Sequence, residues 1–439
     1  MKVVLLAAGQ SKRMKPIADK AFVKICGKML IEWQLEALGT AGFLDIVIVA
    51  NAANIVQMRA LIEAHGLESV QVVEQKDLAT GMKGAMDAAK KLVIDEDEIM
   101  VVSNNDVVEP DCWSLVAEWL KDDQDSNGAM VGYKVSRYFP GGYLKLGSGG
   151  HVTSIVEKPG EGKEPSDLVN LVIHVHRDVP GLYAALESVT SDRDDLYEQA
   201  LQQLFDTGKK YSVIPYEGYW QAVKYPWHLL RLNEFFLRRL KRSISDQAKI
   251  ADTAVINGEV VIEDGVRVFD QAVINGPAYV GKGSIIGNFA LIRGSSLGEK
   301  CVAGSYTEIA RSLLQDAVWT HKNYIGDSIV GSNVSFGSGT VTGNLRLDEG
   351  EISVMVNEEK VNSRTTKLGL ITGDDIRVGI NTSFMPGVRI GSNTMIGAEL
   401  NVTQDIAENS YVKARLPDGQ GSGTSLEIRP NEKGVGRRA

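Results

Sequence analysis

The sequence predicts an α/β domain followed by a parallel β-helix, on three observations. The first is a hexad repeat. From Ile250, an aliphatic residue returns every six positions, at Ile256, Ile262, Val268, Ile274, Val280, Ile286 and Ile292. With roughly a quarter of the chain Ile, Leu or Val, eight hits in one phase have odds on the order of 1 in 10^5. A second run follows at Val378, Phe384, Ile390, Ile396 and Val402. The second observation is an alternation of strand-like and helix-like segments through the first half of the chain. The third is length: 439 residues leave room for two domains.

The N-terminal elements come in order. Residues 2–7, 46–50, 70–73 and 99–102 are apolar runs that predict strands, and 29–38, 55–64 and 84–91 carry helical spacing. Strand and helix in alternation predict an open, mostly parallel, Rossmann-like sheet with helices on both faces. Ligands of such sheets sit beyond the carboxyl ends of the strands. Residues 227–245 predict a linking helix, with Leu229, Leu230, Phe236, Leu237 and Leu240 near one face and Arg231, Arg238, Arg239, Lys241 and Arg242 around the rest. The β-helix is expected over 246–412 and a C-terminal tail over 413–439. In each hexad the aliphatic points inward and stacks on its copies above and below. Small residues such as Ala254, Ser284, Ala290 and Thr394 fit the corners. Hexapeptide repeats of this kind resemble the left-handed form, an exception to right-handed crossovers.

Composition narrows the partners. A formal net charge of -9 argues against a nucleic-acid backbone. No apolar run is long enough to span a bilayer, and no signal peptide precedes the first strand, so a cytoplasmic location is expected. Cys26, Cys112 and Cys301 follow no metal spacing and read as reduced thiols.

Just past the first strand lies Leu6-Ala7-Ala8-Gly9-Gln10-Ser11-Lys12-Arg13-Met14, with Lys20 seven residues after Arg13. Small residues let a backbone approach a phosphate or base, and its N–H groups then donate to it. Arg13 and Lys20 add two cations suited to a triphosphate. A tight turn with two solvated basic residues accounts equally for such a segment taken alone. The segment resembles the signature loop of the sugar-1-phosphate nucleotidylyltransferases, and residues 1–226 are compatible with that family. The arginine-to-lysine spacing is similar to that of the uridylyltransferase of amino-sugar metabolism.

Further marks appear in the family's order. The resemblance implies nucleotide contacts at Leu6, Ala7, Ala8, Gly9, Gln75, Thr80, Gly81 and Asn105. Asp106, after Ser103-Asn104-Asn105, matches the aspartate that binds Mg2+. Mg2+ commonly relies on one or two carboxylates plus substrate oxygens. Glu157-Lys158-Pro159 and Asn170 match residues that hold the sugar phosphate. Four departures stand beside these matches. The family's second loop glycine is Ser11, the usual Asn-Thr-Gly is Asn170-Leu171-Val172, and the usual Tyr-Gly is Tyr143-Leu144. The fourth is Ala222, within Trp220-Gln221-Ala222-Val223-Lys224-Tyr225-Pro226-Trp227, where the family has a second metal-binding aspartate. Lys224 replaces the charge, another carboxylate helps, or nucleotidylyl transfer is weak.

In the β-helix the hexad phase slips after Ile292 and returns at Ile325-Gly326 and Val330-Gly331. An interruption there is expected to carry a site, since repeat proteins place insertions on one face. His321, Tyr324, Gly326 and Asp327 recur at the spacing of the acetyltransferase site of the bifunctional amino-sugar-1-phosphate acetyltransferase/uridylyltransferases. By that resemblance His321 is a catalytic base, Tyr324 and Lys367 meet the sugar phosphate, and Ser338, Asn344 and Arg415 meet acetyl-CoA. The excursion from Asn344 to Lys367 is similar to the archaeal-type enzymes, and the resemblance covers nearly all of residues 1–415. It departs at Ser335, where the bacterial sugar site has an asparagine. An imidazole suits the task, because it titrates at about 6.5 and an amino-sugar ammonium must lose a proton before it can attack a thioester.

The resemblance implies a bifunctional enzyme that acetylates glucosamine 1-phosphate or an isomer from acetyl-CoA, then joins the product to UTP. Arg13 and Lys20 are its catalytic cations, Mg2+ its metal, and a homotrimer through the β-helix its assembly. Two other readings stay open. One keeps a UTP- or dTTP-dependent transferase and makes the β-helix a scaffold. The other is a sensor that binds nucleotide-sugar through a degenerate site. The His321–Tyr324 pair weighs against the first, and Arg13, Lys20 and Asp106 weigh against the second.

Overall fold

The computed structural model describes residues 1–191, 195–415, 425–432 and 434–436. The chain divides into two compact units: Met1–Gln10 with Ile31–Ala222, and Ser11–Leu30 with Val223–Ala439.

The first unit is built on a nine-stranded sheet. Its parallel half runs Ile99–Ser103, Lys2–Leu6, Ile46–Ala50, Val70–Glu74, in that spatial order. Every residue of Ile46–Ala50 and Ile99–Ser103 is buried, as expected of central strands covered on both faces. The helices Leu30–Thr40, Ile55–Ala64 and Gly81–Val93 fall where the spacing predicts them. The sheet differs from the expected one beyond Ile99–Ser103. There Leu168–His176 enters antiparallel and pairs in turn with Gly128–Lys134 and Gly142–Leu146. The sheet is therefore mixed, a common arrangement for large sheets.

The second unit contains a left-handed parallel β-helix whose three faces are parallel sheets. The register stacks Ile256 on Ile274, Ile274 on Ile292, Ile292 on Ile309 and Ile309 on Ile325. These aliphatics, from Ile274 onward essentially inaccessible to solvent, form one continuous core with Val280, Ile286, Phe384 and Ile390. The stacking corrects the expected interruption after Ile292. The coils there take 17 or 16 residues in place of 18, so the hexad phase slips while the column of side chains continues. The real excursion comes later. Asn344 leaves the coil, an antiparallel hairpin forms from Ser353–Val356 and Glu359–Asn362, and the chain returns where Leu368 N donates to Asn344 O at 3.0 Å. The connecting helix is His228–Leu237, and Ser410–Arg415 pairs with Ser425–Pro430 at the far end.

Segment 11–30 packs within the second unit. Lys24 and Gln315 exchange two hydrogen bonds of 2.9 Å, and the Lys24 ammonium lies 2.8 Å from Asp316 and 3.2 Å from Glu299. Burial pushes the thiols of Cys26, Cys112 and Cys301 up to about 12, which leaves them unreactive.

Candidate functional sites

In the first unit the predicted residues line the carboxyl edge of the sheet. Leu6 ends its strand, and Ala7 N donates to Val49 O at 2.8 Å. The following loop is held by two buried asparagines: Asn54 Nδ2 donates to Ala7 O at 3.0 Å and Asn51 Nδ2 to Ala8 O at 2.9 Å. Sequence reasoning missed both, because asparagines after a strand look like ordinary turn residues. A Cβ on Gly9 would meet nothing within 4 Å. Packing does not demand glycine there, whereas a close ligand would. Ser11, in the second unit, has φ +50, a left-handed conformation natural to the glycine it replaces.

Gln75 sits at the end of Val70–Glu74, buried. Its Nε2 donates to Asp77 O at 2.9 Å and Gly81 O at 2.8 Å. Both partners are carbonyls, so the amide nitrogen must face them and the amide oxygen is turned away from them. Thr80 Oγ1 also donates to Asp77 O, at 2.8 Å, which closes the turn before the helix Gly81–Val93.

Asp106 is buried and opens a short strand paired antiparallel with Trp220–Ala222, in which Ala222 lies directly opposite Asp106. The segment that carries the family's second aspartate thus faces the first one across the ladder. Trp220 Nε1 donates to Asp106 Oδ1 at 2.8 Å, and the indole packs on Tyr133 and Phe139. Asn105 is exposed beside it. Among the described residues no group of three or more His, Cys, Asp or Glu side chains gathers to hold a metal. One buried carboxylate fits a Mg2+ that takes most of its ligands from phosphate and water.

Glu157 and Asn170 converge beside Gly142. A Cβ at that glycine would lie 3.1 Å from Glu157 Oε2 and 3.7 Å from Asn170 Cβ. The glycine thus precedes Tyr143, the reverse of the order expected by resemblance. Lys158, at φ +46, bends its ammonium to 3.1 Å from the Glu157 carboxylate.

In the second unit Lys20 Nζ donates to Val223 O at 3.1 Å, and the Arg13 guanidinium lies 5.8 Å from the centre of the Tyr225 ring. On the β-helix, His321 occupies an exposed corner between Trp319–Thr320 and Tyr324–Gly326. A Cβ on Gly304, one coil earlier, would meet His321 Nδ1 at 3.2 Å and Thr320 O at 2.4 Å, so glycine lets the imidazole lie against the coil. Asn323 fixes the corner: its Oδ1 accepts from His321 N, and its Nδ2 donates to Gly337 O and Thr340 O. Ser338 takes the same corner one coil later, since Gly339 N donates to Lys322 O at 3.1 Å. Asn344 Nδ2 donates to Tyr324 Oη at 3.2 Å and to Asp327, whose carboxylate also accepts two 2.6 Å bonds from Arg311. That ion pair raises the Arg311 pKa. Arg311 was not foreseen, because it lies a full coil before the motif. Lys367 is exposed and bridges to Leu345, which returns it beside Asn344. The Arg415 backbone pairs with Ser425, and its side chain lies outside the described residues.

Comparison with known proteins agrees with both halves. Residues 2–238 match the nucleotidyl transferase family. A bifunctional sugar-1-phosphate nucleotidylyltransferase/acetyltransferase of Sulfurisphaera tokodaii is 33% identical over 94% of this chain and 100% of its own. The bifunctional protein GlmU of Methanococcus maripaludis is 35% identical over 94% and 97% of the two chains. The chain belongs to this bifunctional family. The bifunctional protein GlmU of the bacterium Caldanaerobacter subterraneus is 25% identical over 94% of each chain. The enzyme is a nucleotidyltransferase and acetyltransferase of nucleotide-sugar synthesis. No helix among its described residues is long and apolar enough to cross a membrane.

Proposed function

We propose that the enzyme acetylates an amino-sugar 1-phosphate, glucosamine 1-phosphate or an isomer, and then transfers a uridylyl group from UTP to the product. The observation that carries this reading is the convergence of Glu157 and Asn170 beside Gly142, on the sheet edge that also bears Gln75 and Asp106. The Gln75 amide oxygen, its nitrogen being occupied, would accept from the ring N–H of uracil.

In the β-helix, His321 would take a proton from the substrate ammonium. The freed amine attacks the thioester carbonyl, the carbon–sulfur bond breaks, and CoA leaves as the thiol. Asn323 holds the corner from which the imidazole works. Tyr324 and Lys367 would position the sugar phosphate, while Ser338, Asn344 and Arg415 would hold the CoA.

In the nucleotidylyl step a sugar-phosphate oxygen attacks the α-phosphorus in line and pyrophosphate departs. Leu6 to Gly9, Thr80, Gly81 and Asn105 would cradle the nucleotide, and Glu157, Lys158 and Asn170 the sugar phosphate. Arg13 and Lys20 would offset the growing charge. A Mg2+ on Asp106 and the phosphates would neutralise charge there when bound. The domains would then run 1–226, 227–245, 246–412 and 413–439, in a cytoplasmic homotrimer.

The test is a panel for pyrophosphate and CoA release that crosses the four common NTPs with acetylated and free amino-sugar 1-phosphates. UTP and an N-acetylated sugar should be the best pair for pyrophosphate. If no amino-sugar phosphate releases CoA, the β-helix is a scaffold and this reading is wrong.

A further inference from the structure

The arm of residues 11–30 carries Arg13 and Lys20, and it belongs to the unit of the β-helix. It lies along one face of the coils and is fixed at both ends. At one end Lys24–Ile25 and Lys28–Met29 form a hairpin around Cys26 and Gly27. Both turn residues are left-handed, at φ +49 and +84, the geometry of a tight two-residue turn. Cys26 N donates to Ser296 Oγ at 3.1 Å. A Cβ on Gly27 would fall 2.1 Å from Tyr279 Oη, so only glycine lets the turn rest against that tyrosine. The side-chain amide of Gln315 meets the Lys24 backbone as a neighbouring strand would. It accepts from the N–H and donates to the carbonyl, both at 2.9 Å. The Lys24 ammonium closes on Asp316 and Glu299.

At the other end Arg389 donates to Lys15 O at 3.3 Å, and bonds of 2.9 and 2.7 Å to Asp405 hold its guanidinium. A Cβ on Gly373 would come 3.1 Å from Pro16 O, so the arm lies close against the coil there too. Tyr279 and Arg389 sit on the first and last of six neighbouring strands in one sheet. At the usual strand spacing the arm is therefore held over about 24 Å. The two anchors leave only residues 17–23 between them, and Lys20 stands midway. That short span is itself tightened, since Ala21 N donates to Asp19 Oδ1 at 2.9 Å and Lys20 Nζ to Val223 O at 3.1 Å.

We propose that the β-helix is a positioning element of the nucleotidylyl reaction, holding through Gln315 and Arg389 the arm that carries Arg13 and Lys20. The inference rests on the reading of those two residues as catalytic cations. A cation stabilises developing charge best when it is fixed before the reaction and need not be gathered from a loose loop. Closing a free loop costs entropy, which the anchors meet during folding instead of in each turnover. The dependence runs one way: the arm serves nucleotidylyl transfer, and acetyl transfer has no use for it. Gln315, Lys24 and Arg389 are positioning residues in this scheme, because they act through the arm.

The test uses the full-length protein and two readouts. Hydrogen exchange followed by mass spectrometry should show residues 11–30 protected in the wild type and faster-exchanging in Gln315→Ala. Exchange of this segment at open-chain rates in the wild type overturns the anchorage, whatever the activity. The second readout is kcat for pyrophosphate release, with CoA release measured in parallel. Gln315→Ala should lower the former by about tenfold, the scale of a small misplacement, and leave the latter unchanged. In a Lys20→Ala background the same change should cost less than about twofold more, because its route to the reaction is already gone. An equal loss in both backgrounds means a merely structural role and refutes the proposal. So does a folded Gln315→Ala with wild-type kcat. Lys24→Met removes the ion pair from the arm itself and replaces Gln315→Ala should that variant fail to fold. It should give a smaller fall with the same dependence on Lys20. If Lys20→Ala alone keeps the wild-type kcat, the reading of Lys20 as a catalytic cation fails, while the exchange result still judges the anchorage.

Discussion

The two units reach function by different routes. In the first, the candidate site is assembled from Gly9, Gln75, Asp106, Glu157 and Asn170, on five separate elements, and buried polar side chains behind the edge set the geometry. In the second, His321, Tyr324, Asp327, Ser338 and Asn344 come from consecutive coils of one repeat. Regular stacking brings them to neighbouring positions, where Asn323 and Arg311 add local support. The open sheet needs individual supports such as Asn51, Asn54, Trp220 and the His174–Tyr197–His176 chain. The solenoid relies first on each coil keeping its place. Damage should therefore stay local in one unit and follow the coil in the other.

The largest expected effects separate the two chemistries. Asp106→Ala should reduce nucleotidylyl transfer by about 10^3-fold, the scale of a lost preorganised charge, and leave CoA release intact. His321→Ala should do the converse, lowering acetyl transfer by about 10^2-fold. Parallel pyrophosphate and thiol assays check both, and a variant that lowers both rates equally would break the division.

A core change comes next. Ile292→Ala removes a fully buried side chain from the middle of the aliphatic column and should cost about 2–5 kcal/mol. Calorimetry of the full chain should show one transition moved and any other unmoved. A shift of every transition would mean that the units melt as one.

Acid provides a subtler contrast. Burial holds His174 and His176 neutral when folded, but the unfolded chain binds protons at both below about 6.5. Stability of the first unit is therefore complete above that pH and declines as the pH falls below it, the His174 share levelling off near about 3. The β-helix holds no buried histidine, so the transition moved by Ile292→Ala should lack this component. Melts at pH 7.5 and 5.5 make the comparison, and equal acid sensitivity of the two transitions would sink it.

The smallest expected change is Ala222→Asp. Directly opposite residues in an antiparallel pair have Cβ atoms about 5 Å apart, so a carboxylate there would come within reach of a cation on Asp106. The Mg2+ needed for half-maximal activity should fall. No change, together with a damaging Lys224→Ala, would mean that the lysine already supplies the charge.

Much of this was legible in the sequence, unevenly. Ile256, Ile274 and Ile292 announce the β-helix because one side chain per face must repeat. The same reasoning misread the shortened coils, since a fixed six-residue phase cannot follow a column whose spacing contracts while its side chains still stack. In the first unit the strand ends were readable, and Asp106 stands opposite position 222. Asn51, Asn54 and the pair of histidines behind Asn170 were not readable. Their meaning depends on which distant atoms they face, and polar residues on a strand carry no mark of that. Arg311 escaped because its partner, Asp327, lies in the next coil.

The return of the excursion has a practical consequence. Because Leu368 N meets Asn344 O and Leu345 bridges to Lys367, the exit and re-entry of the hairpin lie side by side. The hairpin is in effect a detachable cassette. A short linker in place of residues 347–365 would leave Asn344 and Lys367 where they stand, and a folded domain whose own termini are adjacent could be grafted into the same gap without disturbing the coils.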